Sequence, residues 1–485
     1  MTARPQQPEP FVRGWAFPPT GTAAYPRLHP QEADQVPGDV WSSATLPVGV
    51  RIEVVGDASA VRLRYRTTTA DLGYRGDGAG CSFVAFRSGR RIAEVPAVLG
   101  DGEVVVPLVG DPDAAAVIYL PEGMRPVVHQ IQPVDGALRP APRQPRCLVY
   151  GDAVTQGWLA SSPVGSWSAV AGRTLGLDVC NLGFSGTTRL EPAVAQMIAR
   201  TPAEAVVVAV GTGCWSRPPH STPMLVEELR AFVQLVRAGH PEVPLVVMSP
   251  TCRPAAEDTP NVLGATLSDL RRSVEDVVTA LAVADERLAL LDGGSVLGPD
   301  ELADGTYPGD EGHKRIAAAV RKLLVPYADE LRQAAVARWQ EEVLAASPAF
   351  AGTTSAARPL AAAPARRPRN PAAPSTTAPA AGGAMVPAGA AGAGAPAGAA
   401  GAGGAAHAAP GAGGAVDPAG AGGSAALAMA MAGAGVPMAP AGAGGPGAPA
   451  GVPAAITAAA RATAAAARAF AAATARDVDV GAGTP

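Results

Sequence analysis

Four short polar turns contain the residues of this 485-residue chain that could carry out chemistry. The turns are GDAVTQG (151–157), NLGFSGTTR (181–189), VGTGCWSRPPH (210–220) and DGTYPGDEGH (304–313). Cys214 and Thr155 are candidate nucleophiles, because a thiol or a hydroxyl attacks an electrophilic carbon once a base has activated it. His313 is a candidate base, and His220 is a candidate residue of a pocket mouth. The residue types therefore permit nucleophilic catalysis, provided that the fold brings a base to a nucleophile.

Each of these residues also has a structural interpretation. Thr155 can cap a helix or close a turn through its hydroxyl. Cys214 can pack in the core, and the sequence gives it no evident base. His313 falls at a predicted helix start, where it can cap or pack, and His220 either lines a pocket mouth or lies in a solvated loop. Both kinds of interpretation stay open on sequence alone.

The first turn follows LVYG, a run typical of a buried strand. In α/β proteins the carboxyl ends of parallel strands are the usual place for a binding or catalytic site. Many hydrolases carry a serine nucleophile at this place, but here the residue is Ala153. The nucleophile either lies elsewhere or has been lost.

Apolar runs alternate with helical patterns between residue 147 and about residue 325. The runs predict five buried parallel strands: CLVYGD, LDVCNLG, AVVVAVG, PLVVMSP and LALLDGG. Helical spacing in MLVEELRAFVQLVRAG places one apolar stripe at Leu225, Leu229, Phe232, Val233 and Val236. The alternation predicts an α/β fold with a three-layer, doubly wound parallel sheet. The four polar turns are expected at the ends of its strands.

The rest of the chain divides by composition. Short alternating runs such as AVRLRYRT predict an antiparallel β-sandwich or jelly roll. We assign a Pro-rich segment to 1–36, the sandwich domain to 37–140, the α/β domain to 141–325 and a C-terminal helix to 326–347. LRPAPRQPR (138–146) is expected to be a proline-stiffened linker. Residues 348–485, almost all Ala, Gly and Pro, are predicted to be a disordered tail, because too few large apolar side chains offset the ordering entropy.

Charge and cysteine content narrow the function classes. The formal net charge of −4 gives no strong attraction to nucleic acid or anionic membranes. Arg62, Arg64 and Arg66 form one basic strand face, but no interleaved aromatic residues are present to stack bases. Five scattered cysteines indicate reduced thiols, and no signal peptide or membrane-spanning run is evident, so a cytoplasmic protein is expected. The histidines lack metal-ligand spacing, and neither a metal nor a cofactor is expected.

The order and spacing of the four turns resemble the four sequence blocks of the SGNH (GDSL-type) hydrolase family. The resemblance is closest to bacterial members with an N-terminal β-sandwich, and it covers residues from about 40 to about 325. The framework of those blocks is present at Gly151, Asp152, Gly157, Trp158, Asn181, Gly183, Gly186, Gly211, Thr212, Cys214, Trp215, Pro308 and Gly312.

The resemblance implies that the catalytic positions are degenerate. The serine nucleophile corresponds to Ala153, the oxyanion-binding asparagine to Gly213 and the general-base histidine to Tyr307. The backbone oxyanion donor is matched by Gly186, and the aspartate that orients the base is matched by Asp304. A methyl group cannot attack a carbonyl, and a phenol with a reference pKa of about 10 is a poor base near neutrality. Asp304 and Tyr307 can hydrogen-bond, either as a structural pair or as a pair that contacts a ligand.

We therefore expect a pseudoenzyme that has lost serine esterase chemistry and acts in binding, scaffolding or regulation. Its pocket is expected to take an acyl-ester or sugar-like small molecule, and a protein partner could bind through the tail. The candidate pocket residues are Asp152, Thr155, Gln156, Cys214, Trp215 and His220. The alternative is an active esterase or acyltransferase with a rebuilt site, in which Cys214 or Thr155 is the nucleophile.

Overall fold

Two antiparallel sheets form the amino-terminal part of the fold. The computed structural model describes residues 4–17, 19–21, 23–72, 79–210 and 212–346, all within one compact unit. The first elements are β1 (Val12–Arg13), α1 (Gly38–Ala44), β2 (Arg51–Val55), β3 (Ala60–Thr67), β4 (Ser82–Arg87), β5 (Arg90–Pro96), β6 (Gly100–Pro107), β7 (Ala116–Tyr119), β8 (Val127–Val134) and β9 (Arg139–Pro140). One sheet has the order β1-β2-β7-β4-β5, with β9 beside β2, and the other has the order β6-β3-β8.

The two sheets share one apolar core because alternate residues of their strands point to the same side. Leu63 of the three-stranded sheet, for example, belongs to the same buried cluster as Ile52 and Ile118 of the larger sheet. The polar alternate positions of β3 face outward. The predicted antiparallel β region is therefore confirmed.

The basic face of β3 is paired with acidic residues of the neighbouring strand β6. Arg62 and Arg64 both form ion pairs with Glu103, and Arg66 lies 3.8 Å from Asp101. The arginines of this face are thus partnered within the sheet.

A five-stranded parallel sheet forms the second part of the fold. Its elements are β10 (Arg146–Gly151), α2 (Ala153–Gln156), α3 (Trp167–Leu175), β11 (Asp178–Gly183), α4 (Pro192–Arg200), β12 (Ala205–Ala209), α5 (Thr212–Ser216), α6 (Thr222–Gly239), β13 (Leu245–Met248), α7 (Pro254–Glu257), α8 (Leu267–Ala282), β14 (Leu288–Leu291), α9 (Gly293–Val296), α10 (Asp310–Leu324) and α11 (Ala328–Ala346). Short 3-10 turns occur at Glu9–Phe11, Pro30–Gln35, Glu122–Met124, Pro163–Gly165, Pro299–Glu301 and Val325–Tyr327.

Helices cover both faces of the parallel sheet, as expected for strands that are apolar throughout. Helices α4, α6 and α8 pack with one core cluster, and α3 and α10 pack with the other. The predicted stripe of α6 is entirely buried. The three-layer, doubly wound fold and all five predicted strands are confirmed.

The strand order of this sheet is β11-β10-β12-β13-β14. Strand β10 pairs with β11 on one side and with β12 on the other, so the direction of winding reverses at β10. A crevice at such a switch point, at the carboxyl ends of the strands, is the usual ligand site of doubly wound sheets. The turns after β10 and β12 both lie at this crevice.

Strands β5 and β9 are not predicted by the sequence pattern. Along β5 the residues RRIAEVP show no regular alternation of buried and exposed positions. β9 lies in the expected linker, where Pro140 pairs with Val54. Proline is accommodated because β9 is an edge strand that need not donate at every position.

The Pro-rich segment before residue 37 packs over the fold. Strand β1 pairs with β2, and Phe11 is buried in the core of the sheets. At the other end of the described chain, α11 corresponds to the predicted C-terminal helix, and the tail predicted at 348–485 lies outside the described residues. No helix in the described ranges has both the length and the apolar character needed to cross a membrane.

Candidate functional site

Asp152 joins the ends of the two strands that flank the crevice. It caps α2, where its Oδ1 accepts a hydrogen bond from the Val154 N–H at 2.9 Å. Its Oδ2 accepts from the Gly213 N–H, in the turn after β12, at 2.8 Å. Burial raises the pKa of Asp152, although these hydrogen bonds oppose the shift. Asp152 is thus a buried residue that links the start of α2 to Gly213.

Ala153 is the first residue of α2, directly at the carboxyl end of β10. Its side chain is buried and carries no group that can attack, donate or accept. At the position to which the resemblance assigns the nucleophile, the side chain therefore has no reactive group.

Gly213 leaves room where an oxyanion-binding side chain would begin. A Cβ built on Gly213 would lie 3.4 Å from the nearest atom, Asp152 Oδ2. This is an ordinary van der Waals distance, so a Cβ fits at this position. Gly211, the other glycine of this turn, lies outside the described residues.

The turn after β11 is tied to α2 and β10. The Ser185 N–H donates to Gln156 Oε1 at 2.9 Å, and the Thr188 hydroxyl donates to the Gly151 carbonyl at 2.9 Å. Gly186 lies between these anchors with φ of +71°, a conformation that glycine adopts readily. Gln156 is buried and holds this loop in place.

Asp304 fixes the backbone of the turn that carries Tyr307. Its Oδ1 accepts hydrogen bonds from the N–H groups of Thr306 and Tyr307, at 2.9 and 2.8 Å. The hydrogen bond between Asp304 and Tyr307 thus goes to the backbone of the tyrosine. The phenol ring packs at a tilt against Trp158, with ring centroids 6.1 Å apart.

The charges of Asp152 and Arg253 act on the phenol of Tyr307. Burial, and next the Asp152 carboxylate, raise the pKa of its phenol, whereas the Arg253 guanidinium acts in the opposite direction. The net shift is upward, so the phenol is neutral near neutral pH. These effects place Tyr307 in the electrostatic surroundings of both Asp152 and Arg253.

Thr155 is fully buried, and its hydroxyl has no hydrogen-bond partner among the described residues. A Cβ added to Gly151 would lie 2.3 Å from Thr155 Oγ1, so the hydroxyl packs directly against the end of β10. No base contacts it in the part of the chain that the structure describes. The hydroxyl of Thr155 therefore has no neighbouring base within the described ranges that could activate it as a nucleophile.

Cys214 has a partner that the sequence does not reveal. The SRPPH turn (216–220) folds back, so that the His220 N–H donates to the Cys214 carbonyl at 2.7 Å and the imidazole hydrogen-bonds the thiol. His220 Nε2 also lies 2.8 Å from Glu228 Oε2 of α6. The cluster Cys214, His220 and Glu228 has the residue types of a nucleophile, a base and an orienting carboxylate.

Protonation and burial of this cluster do not favour nucleophilic attack. Burial raises the pKa of the Cys214 thiol, and only 2 % of the residue is exposed. Burial alone would lower the pKa of His220, but hydrogen bonds to Cys214 and Glu228 outweigh it and raise the pKa to about 10. At neutral pH the imidazole is therefore protonated and cannot accept a proton from the thiol.

His313 is a buried structural residue of α10. Its Nδ1 accepts from the Trp167 N–H at 3.3 Å, and its Nε2 lies 3.2 Å from the Trp158 carbonyl. The imidazole thus links α10 to the start of α3 and to the loop after α2. Both ring nitrogens are engaged in backbone contacts.

Trp215 and Arg253 meet at the crevice, and sequence reasoning missed the arginine. The Trp215 indole N–H donates to the Thr259 carbonyl at 2.8 Å. The guanidinium carbon of Arg253 lies 4.9 Å from the centre of the Trp215 ring. Arg253 follows β13, in a turn without a motif, so only the fold shows that it belongs to the site.

Within the described ranges, no group of three or more His, Cys, Asp or Glu side chains is placed to hold a metal ion. Asp152, Ala153 and Gly213 thus lie together at the carboxyl ends of β10 and β12, and the charges of Asp152 and Arg253 act on Tyr307. Thr155, Gln156, Cys214 and His220 are almost completely buried. That these four line a ligand pocket stays a prediction.

Comparison with known proteins gives one family model and two solved structures that this chain resembles. Residues 144–325 match the model of the GDSL-like lipase/acylhydrolase family. The chain is similar to the structure of a salicylyl-acyltransferase from a tetracycline biosynthetic pathway, with 24% identity and a TM-score of 0.59, over 67% of this chain and 97% of that chain. It is also similar to a candidate GDSL-like lipase from Bacteroides ovatus ATCC 8483, with 21% identity and a TM-score of 0.54, over 66% and 98% of the two chains. No curated protein sequence matches the chain significantly. At these identities the two structures establish the shared fold.

Proposed function

Residues 144–325 belong to the GDSL-like lipase/acylhydrolase family, and we propose that their site binds a ligand but does not perform serine-dependent hydrolysis. The protein is a pseudoenzyme of this fold and acts in binding, scaffolding or regulation. Its ligand is a small molecule of acyl-ester or sugar-like character.

One combination supports the proposal: three residues lack the groups that serine-dependent hydrolysis needs, while the hydrogen bonds that hold the surrounding backbone are present. Ala153 offers no nucleophile, Gly213 offers no side-chain donor, and the neutral phenol of Tyr307 is no base near pH 7. Asp152 nevertheless still braces α2 against the turn after β12. In a serine protease, loss of the triad lowers kcat by about 10⁶-fold, so hydrolysis by this route is negligible.

A second candidate function is acyl transfer through Cys214, favoured by its contact with His220 and by the nearby Glu228. Against it stand the burial of the thiol and the protonated state of the imidazole. Intact mass measurement after incubation with an activated acyl donor distinguishes the two functions. An adduct that disappears in Cys214→Ala supports acyl transfer, and an unmodified mass supports the pseudoenzyme.

Restoring the three side chains tests the main proposal. We expect the unmodified chain to hydrolyse short p-nitrophenyl esters no faster than the background rate. The triple variant Ala153→Ser, Gly213→Asn, Tyr307→His is expected to gain turnover, by roughly 10³-fold at most, because the backbone frame is in place but the pocket has not adapted to catalysis. The assay is initial-rate esterase activity over a panel of acyl chain lengths.

The matched control is Gly213→Asn, Tyr307→His without the serine, which has the same surroundings but no nucleophile. It should remain inactive. Hydrolysis of these esters by the unmodified chain at ordinary enzyme rates contradicts the proposal. A triple variant that folds but stays inactive shows that the site has lost more than three side chains.

A further inference from the structure

Arg253 stands at the crevice without an acidic partner. Among the residues that the structure describes, no carboxylate lies within ion-pair distance of its guanidinium, and its Nε is buried with no hydrogen-bond partner. Its Nη1 donates to the Ser216 hydroxyl at 3.5 Å. A buried N–H without a partner is costly, and a charged one more so.

The neighbouring acid, Glu257, is already used by other groups. Its carboxylate accepts two hydrogen bonds from Arg271, at 2.6 and 2.7 Å, and one from Ser268 at 2.9 Å. It also accepts from the Arg253 backbone N–H at 3.0 Å, which fixes the position of Arg253 without neutralising its side chain. The local network thus holds the arginine in place and leaves its charge unpaired.

Arg253 lies against α5, the helix that contains Gly213. Its guanidinium lies over the face of Trp215, in a turn whose Gly213 binds Asp152. Stacking on an aromatic face leaves the in-plane N–H groups of an arginine free to donate. The Arg253 charge also acts on the phenol of Tyr307, the residue at the former base position.

We propose that Arg253 makes this site select ligands that carry a carboxylate over the corresponding neutral esters. An arginine binds a carboxylate through two parallel N–H donors, and the phenol of Tyr307 supplies a further neutral donor in the same surroundings. The ligand class is therefore a carboxylic acid in its ionised form. The inference rests on the proposed function, because an active hydrolase would consume the ester form.

The test compares hexanoate with methyl hexanoate by isothermal titration calorimetry on the full chain. We expect hexanoate to bind at least about tenfold more tightly than the ester, because a charge-assisted hydrogen bond contributes a free energy of this size. In Arg253→Gln this preference should fall to less than about threefold, and Arg253→Lys should keep part of it, because a lysine retains the charge but not the bidentate geometry.

The matched control is Arg272→Gln, which removes an exposed guanidinium from α8 and should leave the preference unchanged. If Arg253→Gln does not fold, as judged by circular dichroism, the ratio measured for Arg253→Lys decides. Equal affinity for acid and ester in the unmodified chain overturns this inference but leaves the binding function intact. Failure of both probes to bind overturns the inference and removes the support for a ligand-binding pocket, whereas hydrolysis of the ester overturns the proposed function itself.

Discussion

His220 holds a positive charge inside the fold because two partners stabilise it. Only 3 % of the residue is exposed, yet its Nε2 lies 2.8 Å from Glu228, and the imidazole contacts the thiol of Cys214. The Asn261 side chain binds the His220 carbonyl at 2.8 Å and keeps the turn closed. Protonation of one residue therefore secures the contact between α5 and α6.

This contact predicts a specific pH dependence of stability. The pKa of His220 is raised from 6.5 to about 10, so the folded state holds the proton more tightly than the unfolded chain does. Its contribution to the free energy of unfolding is then complete below about pH 6.5 and is lost as the pH rises toward 10. Urea unfolding between pH 6 and pH 10.5 should show this loss in the unmodified chain.

His220→Gln provides the reference, because it lacks the titrating group but keeps every other one. The difference in stability between the two proteins should shrink steadily over the same interval. Glu228→Gln should reduce the dependence in part. A constant difference between the unmodified chain and His220→Gln across this range would show that the imidazole is not stabilised by its protonation.

Residue types at the degenerate positions could be predicted from the sequence, but their partners could not. The resemblance of the four turns to the family blocks implies the roles of Ala153, Gly213 and Tyr307, and this assignment stays a prediction. The contact of Cys214 with His220 depends on a turn that reverses the chain within six residues, and Arg253 lies in a segment with no motif. Such contacts follow from the tertiary fold, which local sequence does not encode.

Helix α2 lies so close to β11 that Gly183, the last residue of this strand, cannot carry a side chain. A Cβ added to Gly183 would lie 2.3 Å from the Gln156 backbone nitrogen and 2.8 Å from its Cα. Backbone atoms cannot move aside as a flexible side chain can. The turn after β10 therefore reaches its position only because residue 183 has no side chain.

Gly183→Ala is expected to destabilise the protein by about 1–3 kcal/mol, the usual cost of overpacking a well-packed site. The measurement is the free energy of unfolding in urea. Gly38→Ala is the matched control, because a Cβ there meets nothing within 4 Å. At the start of α1 this change should be neutral or stabilising by up to about 1 kcal/mol. Equal effects of the two substitutions would contradict the close packing of α2.

Elements with a strong pattern could be predicted, and weakly patterned ones could not. The strands of the parallel sheet are continuous apolar runs, and the stripe of α6 recurs at helical spacing, so both are evident from sequence. β5 lacks regular alternation, and β9 is a two-residue edge strand that includes Pro140. Their pairing is imposed by neighbouring strands.

At the scale of the whole molecule, a buried ion-pair network joins the antiparallel and parallel parts. Arg51 of β2 contacts Glu53 at 2.7 Å and Asp178 of β11 at 2.8 Å, and it also donates to the Val179 carbonyl at 3.2 Å. Asp178 in turn accepts from the Gly14 N–H at 2.9 Å. One guanidinium thereby links the N-terminal segment, a sheet of the first part and the sheet of the second.

Asp178→Ala is expected to destabilise the protein by about 3–5 kcal/mol, because it leaves part of a buried charge uncompensated. Glu103→Ala, which removes the acid shared by Arg62 and Arg64 at the surface, should cost less than about 1 kcal/mol. Guanidinium unfolding of both variants checks the comparison. A loss for Asp178→Ala no larger than that for Glu103→Ala would show that the two parts are not held together by this network.

The contact of Arg27 with β11 also bears on the order of events during synthesis. Its guanidinium donates to the carbonyls of Asn181 and Gly183, 154 and 156 residues further along the chain, at 3.0 and 2.6 Å. At about 5–20 residues per second, the ribosome needs roughly 8–30 s to make that intervening chain. The contacts of Phe11 and β1 with the antiparallel sheets can form early in synthesis, but the guanidinium of Arg27 has no access to its acceptors in β11 until that interval has passed.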